Sequence, residues 1–195
     1  MKQKIITEYL LYVIFFIGII ISCDSAIGQV AWTQKANFAG TSMYSTSFFS
    51  INGKGYIGLG YDGVRKSDFW EYDPATNVWT QKATYPINSR NATANFTIGN
   101  LGFIVAGGTG IGQNHIVYAF DQLTNSWILK SPYPLIPTPQ DCYGFSIGTK
   151  GYVVGGWNGA IISDMYEYDS VNDSWTQKSS FPAGVRSGLT GFVIN

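Results

Sequence analysis

The chain has 195 residues, with 12 Lys and Arg against 12 Asp and Glu, one His and two Cys. A neutral chain without Lys/Arg runs lacks the electrostatic footprint of a nucleic-acid binder, and one histidine cannot build a three-His zinc site. Twenty-three glycines and 16% aromatics beside only 12% charged residues point to β-structure with many turns.

In chain order, Lys2 and Lys4 form a short basic region with Glu8 close behind, and residues 10–21 (LLYVIFFIGIII) are almost wholly apolar. Such a segment suits the apolar core of a signal peptide and falls short of the roughly 20 residues needed to span a bilayer. Two cleavage patterns stand side by side. Ile20-Ile21-Ser22-Cys23 is similar to a bacterial lipobox, which would lipidate Cys23, and Ala26-Ile27-Gly28 fits ordinary signal peptidase. Residues 1–28 are therefore read as a signal peptide and 29–195 as the folded body. A chance thiol is the plain reading of Cys23. Either cleavage leaves no intrachain disulfide, so Cys142 is expected to pack as a small apolar residue.

Self-comparison of the remainder shows a repeat. Trp32, Trp79, Trp127 and Trp175 recur at 47, 48 and 48 residues, within AWTQKANF, VWTQKATYP, SWILKSPYP and SWTQKSSFP. Phe49, Phe96, Phe145 and Phe192 keep nearly the same period, and Gly55, Gly102 and Gly151 open GYIGLGYDG, GFIVAGGTG and GYVVGGWNG. Tyr72, Phe120 and Tyr168 each precede an Asp, and each lies seven residues before its Trp.

Every period reads as four short strands, a to d. In the first, strand a covers 45–51, Asn52-Gly53 makes a tight turn, strand b covers 56–60, strand c is DFWEY at 68–72, and strand d begins near Trp79. The loop at 73–77 starts with Asp and ends with Asn, which predicts an Asx-capped turn closing on a left-handed residue. Blades are placed at about 41–84, 88–132 and 137–180, with part-blades at 31–38 (a strand d) and 185–195 (a strand a). No segment after the leader has helical periodicity. A sheet of this kind buries both faces only by packing between copies of itself around an axis, with the repeated aromatics filling the wedge.

These features resemble the kelch family: strand-b glycines, a downstream aromatic-Asp, and a Trp seven residues after that aromatic. The resemblance covers residues 31–195 and implies an all-β propeller. It departs at the family's paired glycines. Gly155-Gly156 is intact, whereas Leu59-Gly60 and Ala106-Gly107 stand in the earlier repeats. Three blades and two part-blades do not close a ring of 4 to 8, so a truncated product of a longer propeller gene is expected. Self-assembly is the less natural alternative, because stranded part-blades would lack strands b and c.

Among the classes the resemblance implies, galactose-oxidase-type copper enzymes hold the metal with two His and two Tyr, which a lone His115 cannot supply. Sialic-acid mutarotases work without metal and need carboxylates or Arg in the channel. Beyond the leader only Glu71 and Glu167 are glutamates, at equivalent places in strand c, which suggests repeat consensus rather than a catalytic pair. Arg90 and Arg186 also fall in register and are read as inter-blade hydrogen-bonding residues. No nucleophile elbow, Walker loop, HExxH or calcium loop occurs.

Binding remains. The b–c loops (61–68, 107–115, 157–164) and the d–a loops vary on a fixed scaffold, where recognition usually resides. The candidate contacts are Tyr61, Asp62, Arg65, Lys66, Gln113, Asn114, Trp157 and Asn158, with merely solvated loops as the bland alternative. The expectation is a non-catalytic module for a protein or carbohydrate ligand, with no cofactor, no metal and no nucleic acid. It would work outside the cell, in the periplasm or on a bacterial surface, meeting the membrane only through its leader or lipid. The rival is a metal-free carbohydrate-modifying enzyme with active residues partly in missing blades. Sequons at Asn91, Asn95 and Asn172 matter only in a eukaryotic secretory pathway, and the leader points to a bacterium.

Overall fold

The computed structural model describes residues 32–87, 89–109, 115–191 and 193. Cys23, Gln113 and Asn114 lie outside them, as does the leader. Lys35–Asn195 forms one unit.

Among the described residues, twelve five-residue strands follow the four-strand period. The first sheet holds β1 (Ser47–Ile51), β2 (Lys54–Gly58), β3 (Phe69–Asp73) and β4 (Val78–Lys82). The second holds β5 (Ala94–Ile98), β6 (Leu101–Val105), β7 (Val117–Asp121) and β8 (Ser126–Lys130). The third holds β9 (Tyr143–Ile147), β10 (Lys150–Val154), β11 (Met165–Asp169) and β12 (Ser174–Lys178). Each is an antiparallel meander in chain order. Registers repeat as well: Tyr72 pairs with Trp79, Phe120 with Trp127 and Tyr168 with Trp175.

Turn chemistry sets this register. Asn52 and Gly53 both take positive φ (48° and 75°), as a two-residue type I′ hairpin requires. At the c–d turns, Asp73, Asp121 and Asp169 accept from the backbone N–H two residues on, each at 2.9 Å. Asn77, Asn125 and Asp173 then close those turns in the left-handed region.

The hydrophobic core lies between sheets. One cluster joins Ile51, Tyr56 and Phe69 of the first blade to Ile104 and Phe120 of the second. Another joins Phe96, Phe103 and Ala119 of the second blade to Tyr166 and Tyr168 of the third. Innermost strands β1, β5 and β9 lie side by side, so the sheets fan from one edge as propeller blades do. Glycine at the start of strand b is part of the fit. A Cβ on Gly102 would collide with the ring of Phe49, and one on Gly151 with that of Phe96.

A polar clasp repeats at every junction. The indole Nε1–H groups of Trp79, Trp127 and Trp175 donate to the carbonyls of Ala36 (3.2 Å), Ala83 (2.8 Å) and Ser131 (3.0 Å). The N–H groups of those same three residues donate to Asn77 (2.8 Å), Asn125 (3.0 Å) and Asp173 (3.0 Å). Phe38, Tyr85 and Tyr133 complete it, standing edge-on to the three indoles at 5.1, 5.1 and 5.2 Å. Toward the axis, Ala92 N–H donates to Ser45, Asp141 to Ala92, and Gly188 to Asp141, each at 2.9 Å.

Residues 32–38, expected as a strand d, carry no strand, and neither do the described residues 185–191 of the expected strand a at 185–195, whose Phe192, Ile194 and Asn195 lie outside the described residues. Trp32 is 96% exposed. Ala36, Phe38 and Gly188 nevertheless occupy their repeat positions in the clasp and the axial chain.

Arg90 bridges blades as expected. It is fully buried, and its Nη1 donates to Ala106 (3.0 Å) and Ile116 (3.1 Å) of the second blade. Its own carbonyl accepts from Gly60 of the first blade at 3.0 Å. Arg186 repeats only the backbone half, accepting from Gly156 at 2.7 Å, while its side chain is exposed.

Removing the Trp127 indole N–H by Trp127→Phe leaves the Ala83 carbonyl unpaired, which costs about 1–3 kcal/mol. Urea unfolding should show that loss, with Trp157→Phe within about 0.5 kcal/mol of wild type as the surface comparison.

Candidate functional site

The b–c loops are built on one backbone device. After strand b, two successive residues take positive φ in all three blades: Leu59 and Gly60, Ala106 and Gly107, Gly155 and Gly156. The departure from paired glycines thus leaves the conformation intact. Leucine and alanine carry a left-handed cost of roughly 1–2 kcal/mol, offset where Leu59 and Ala106 are fully enclosed. The second residue of each pair donates to the neighbouring d–a loop, Gly60 to Arg90, Gly107 to Pro139 and Gly156 to Arg186.

The next residue is held on both sides. Tyr61, Gly108 and Trp157 each exchange two backbone hydrogen bonds with the residue entering strand a, namely Tyr44, Asn91 and Gln140, at 2.8 to 3.1 Å. Three b–c loops and three d–a loops therefore meet in register on one face. Loops 1 and 3 fold alike. Lys66 N–H closes on Gly60 and Ile162 N–H on Gly156, both at 3.0 Å.

Side chains extend this into a strip. Tyr44, 60% exposed, packs edge-on against Tyr61 at 5.5 Å. Arg65 lies over the Tyr61 ring at 5.8 Å and donates through Nε to Asn91 Oδ1 (3.1 Å) and the Gly108 carbonyl (3.2 Å). Gly108 is bordered in turn by the Gln140 side-chain amide. Beyond it stands Trp157, 44% exposed. At the central position Gly108 stands where its neighbours carry aromatics, flanked by the side-chain amides of Asn91 and Gln140.

Of the sequence candidates, Tyr61, Arg65 and Trp157 belong to this strip. Asp62 and Lys66 form an ion pair at 2.7 Å within their loop, and Lys66 holds the Asp62 carboxyl below its ordinary range. Asn158 donates to the Pro137 carbonyl at 3.1 Å and braces the d–a loop. Sequence reasoning passed over Tyr44, Asn91 and Gln140. Their common signal was position, 47 and 49 residues apart, while their side chains differ.

A cavity of about 240 Å³ opens beside the inner strands, lined by Thr46, Thr93, Asn95, Cys142, Tyr143 and Thr190 among others. Ser47 and Thr93 hydroxyls meet at 2.6 Å, and Thr93 donates to Asn95 at 3.0 Å. Cys142 is buried, and burial pushes its thiol up to about 12, so it stays protonated and unreactive at neutral pH.

The two glutamates lie elsewhere and are fully engaged. Burial works against the charge of Glu71, yet Tyr56, Lys54 and Lys82 outweigh it and hold the carboxyl low, with the lysines at 3.0 and 3.3 Å. Glu167 pairs with Lys178 at 3.1 Å in the third blade. In the second blade Leu101, Phe103 and Ala119 fill the places of Lys54, Tyr56 and Glu71. A charged cluster that one blade replaces wholesale with apolar groups is blade packing. His115 is exposed. Among the described residues no three His, Cys, Asp or Glu side chains gather in a metal-holding group.

Radially repeated four-stranded meanders with cores between them define a β-propeller. The kelch motif family matches residues 146–182, strands β10 to β12 with their loops. The solved structure described as "Structure of YjhT" superposes with a TM-score of 0.65 at 16% identity, over 79% of this chain and 57% of that one. The chain thus spans little more than half the length of that protein. No curated protein matches the chain by sequence. The comparisons show a kelch motif at residues 146–182 and, for the chain, a β-propeller fold.

Arg65→Ala removes a side chain that ties the first b–c loop to Asn91 and Gly108. We expect a loss of about 1–2 kcal/mol, with faster amide exchange confined to residues 61–66 and 107–109. Unchanged protection there would contradict the bracing role.

Proposed function

We propose that the chain is a non-catalytic recognition module that binds its ligand across the b–c and d–a loop face. The observation that carries this reading is the strip Tyr44–Tyr61–Arg65–Asn91–Gln140–Trp157, fixed by paired backbone bonds on three blades. Exposed aromatic faces beside side-chain amides suit a polyhydroxylated ligand, whose C–H faces stack on rings while hydroxyls bond to amides. Carbohydrate, free or displayed on a protein, is the ligand class this favours. The leader-like segment at 1–28 supports a site of action outside the cytoplasm, in the periplasm or at a bacterial surface.

The rival reading, a metal-free carbohydrate-modifying enzyme, draws on the axial cavity. Its described lining offers hydroxyls, an amide and a protonated thiol. Acid–base chemistry there would need a carboxylate, imidazole or Arg from residues outside that lining.

A glycan array probed with the purified chain tests both. Trp157→Ala and Tyr61→Ala should each weaken the best ligand by about tenfold or more, while Val171→Ala on the opposite c–d face leaves it unchanged. Equal binding by all three variants would refute the loop-face reading. Accelerated anomeric exchange of a bound sugar, followed by NMR, would establish the enzyme instead.

A further inference from the structure

Arg90, at the junction of the first two blades, is fully enclosed, yet its side chain is only partly bonded. Nη1 is taken by the carbonyls of Ala106 and Ile116, at 3.0 and 3.1 Å. Nε and Nη2 are buried without a hydrogen-bond partner, and so is the hydroxyl of Tyr85. Nε and Nη2 carry the two N–H bonds that run parallel along one edge of a guanidinium, the fork that grips an anion with two donors. The guanidinium carbon stands 5.3 Å from the centre of the Tyr85 ring, and each group feels the other's charge. Burial pushes the Tyr85 phenol up to about 12, so its hydroxyl keeps its proton at neutral pH.

The charge is unmatched as well. Ion pairs among the described residues start from Lys54, Lys66, Lys82, Lys150 and Lys178, and none includes Arg90. A ring face offsets part of the cost of burying a cation, but it answers neither unmet N–H, and a buried charge is costly without an opposite one beside it. The blade contact itself does not call for arginine. At the next junction Pro139 takes the same place, and its carbonyl accepts from Gly107 at 2.9 Å as that of Arg90 does from Gly60 at 3.0 Å.

We propose that Arg90 and Tyr85 hold a small monovalent anion of chloride's size, with Nε, Nη2 and the Tyr85 hydroxyl donating to it. The ligand is an anion because the site presents three donors and a positive charge. It is small because those donors are sealed from bulk solvent. Water would take the hydrogen bonds and leave the charge unmatched. The site is separate from the loop-face strip and stands whatever that strip binds. It does sit directly behind it, since Asn91, the next residue, accepts from Arg65.

Urea unfolding of the purified chain at constant ionic strength, with gluconate exchanged for chloride, tests the proposal. The midpoint should rise with chloride and saturate, as for a ligand that binds only the folded chain. Tyr85→Phe removes one donor and keeps the ring. It should stay folded by circular dichroism, while the chloride concentration for half the effect rises about tenfold or more. Arg90→Met removes the charge and keeps the stem, and its midpoint should ignore chloride. Crystals soaked in bromide should show an anomalous peak beside Arg90 Nε and Nη2. A wild-type midpoint indifferent to chloride, an unchanged half-effect in Tyr85→Phe, or water in place of bromide would each overturn the site. So would a bromide peak without chloride-dependent stability, which marks an adventitious ion only.

Discussion

Everything in this fold rests on how one blade holds the next. A single five-residue-strand meander has two apolar faces and cannot cover either. The structure answers with an aromatic ring pressed onto a strand-b glycine and an indole N–H clasping the preceding chain's carbonyl. The first buries apolar area, and the second fixes where the neighbour sits. Because glycine is needed under each ring, the junction tolerates no added side chain, and a close fit of this kind makes blades cooperative rather than merely adjacent.

Once junctions are fixed, the loop face follows. The left-handed pair after each strand b turns the chain so that the next residue can exchange two hydrogen bonds with the strand-a entry of its own blade. Side-chain identity at those sites is then free to vary, and it does: Tyr, Gly and Trp on one side, Tyr, Asn and Gln on the other. Rigid backbone with variable side chains is how a repeat scaffold acquires recognition.

Much of the architecture was legible in the sequence because spacing alone carries it. Tryptophans at one period, Asn-Gly and Asp…Asn turns, and a missing helical pattern lead directly to three meanders around an axis. Other features were hidden for physical reasons. A repeated Trp looks the same whether or not its N–H is used, so the clasp was invisible. Leu59 and Ala106 read as departures from paired glycines, yet enclosure forces them into the same left-handed conformation. Arg90 and Arg186 look equivalent, but only the Arg90 side chain is enclosed, bonded to the Ala106 and Ile116 carbonyls. In the candidate site, residue type pointed to Tyr61, Arg65 and Trp157, whereas Asn91 and Gln140 owe their place to register. Asp62, Lys66 and Asn158 illustrate the limit of residue type, since loop-internal partners already claim them.

Indole N–H exchange, read by NMR in deuterated buffer, tests the clasp most directly. The account predicts slow exchange for Trp79, Trp127 and Trp175 and rapid exchange for Trp32 and Trp157. Equally rapid loss of all these signals under native conditions would show that the indoles do not hold the blades together.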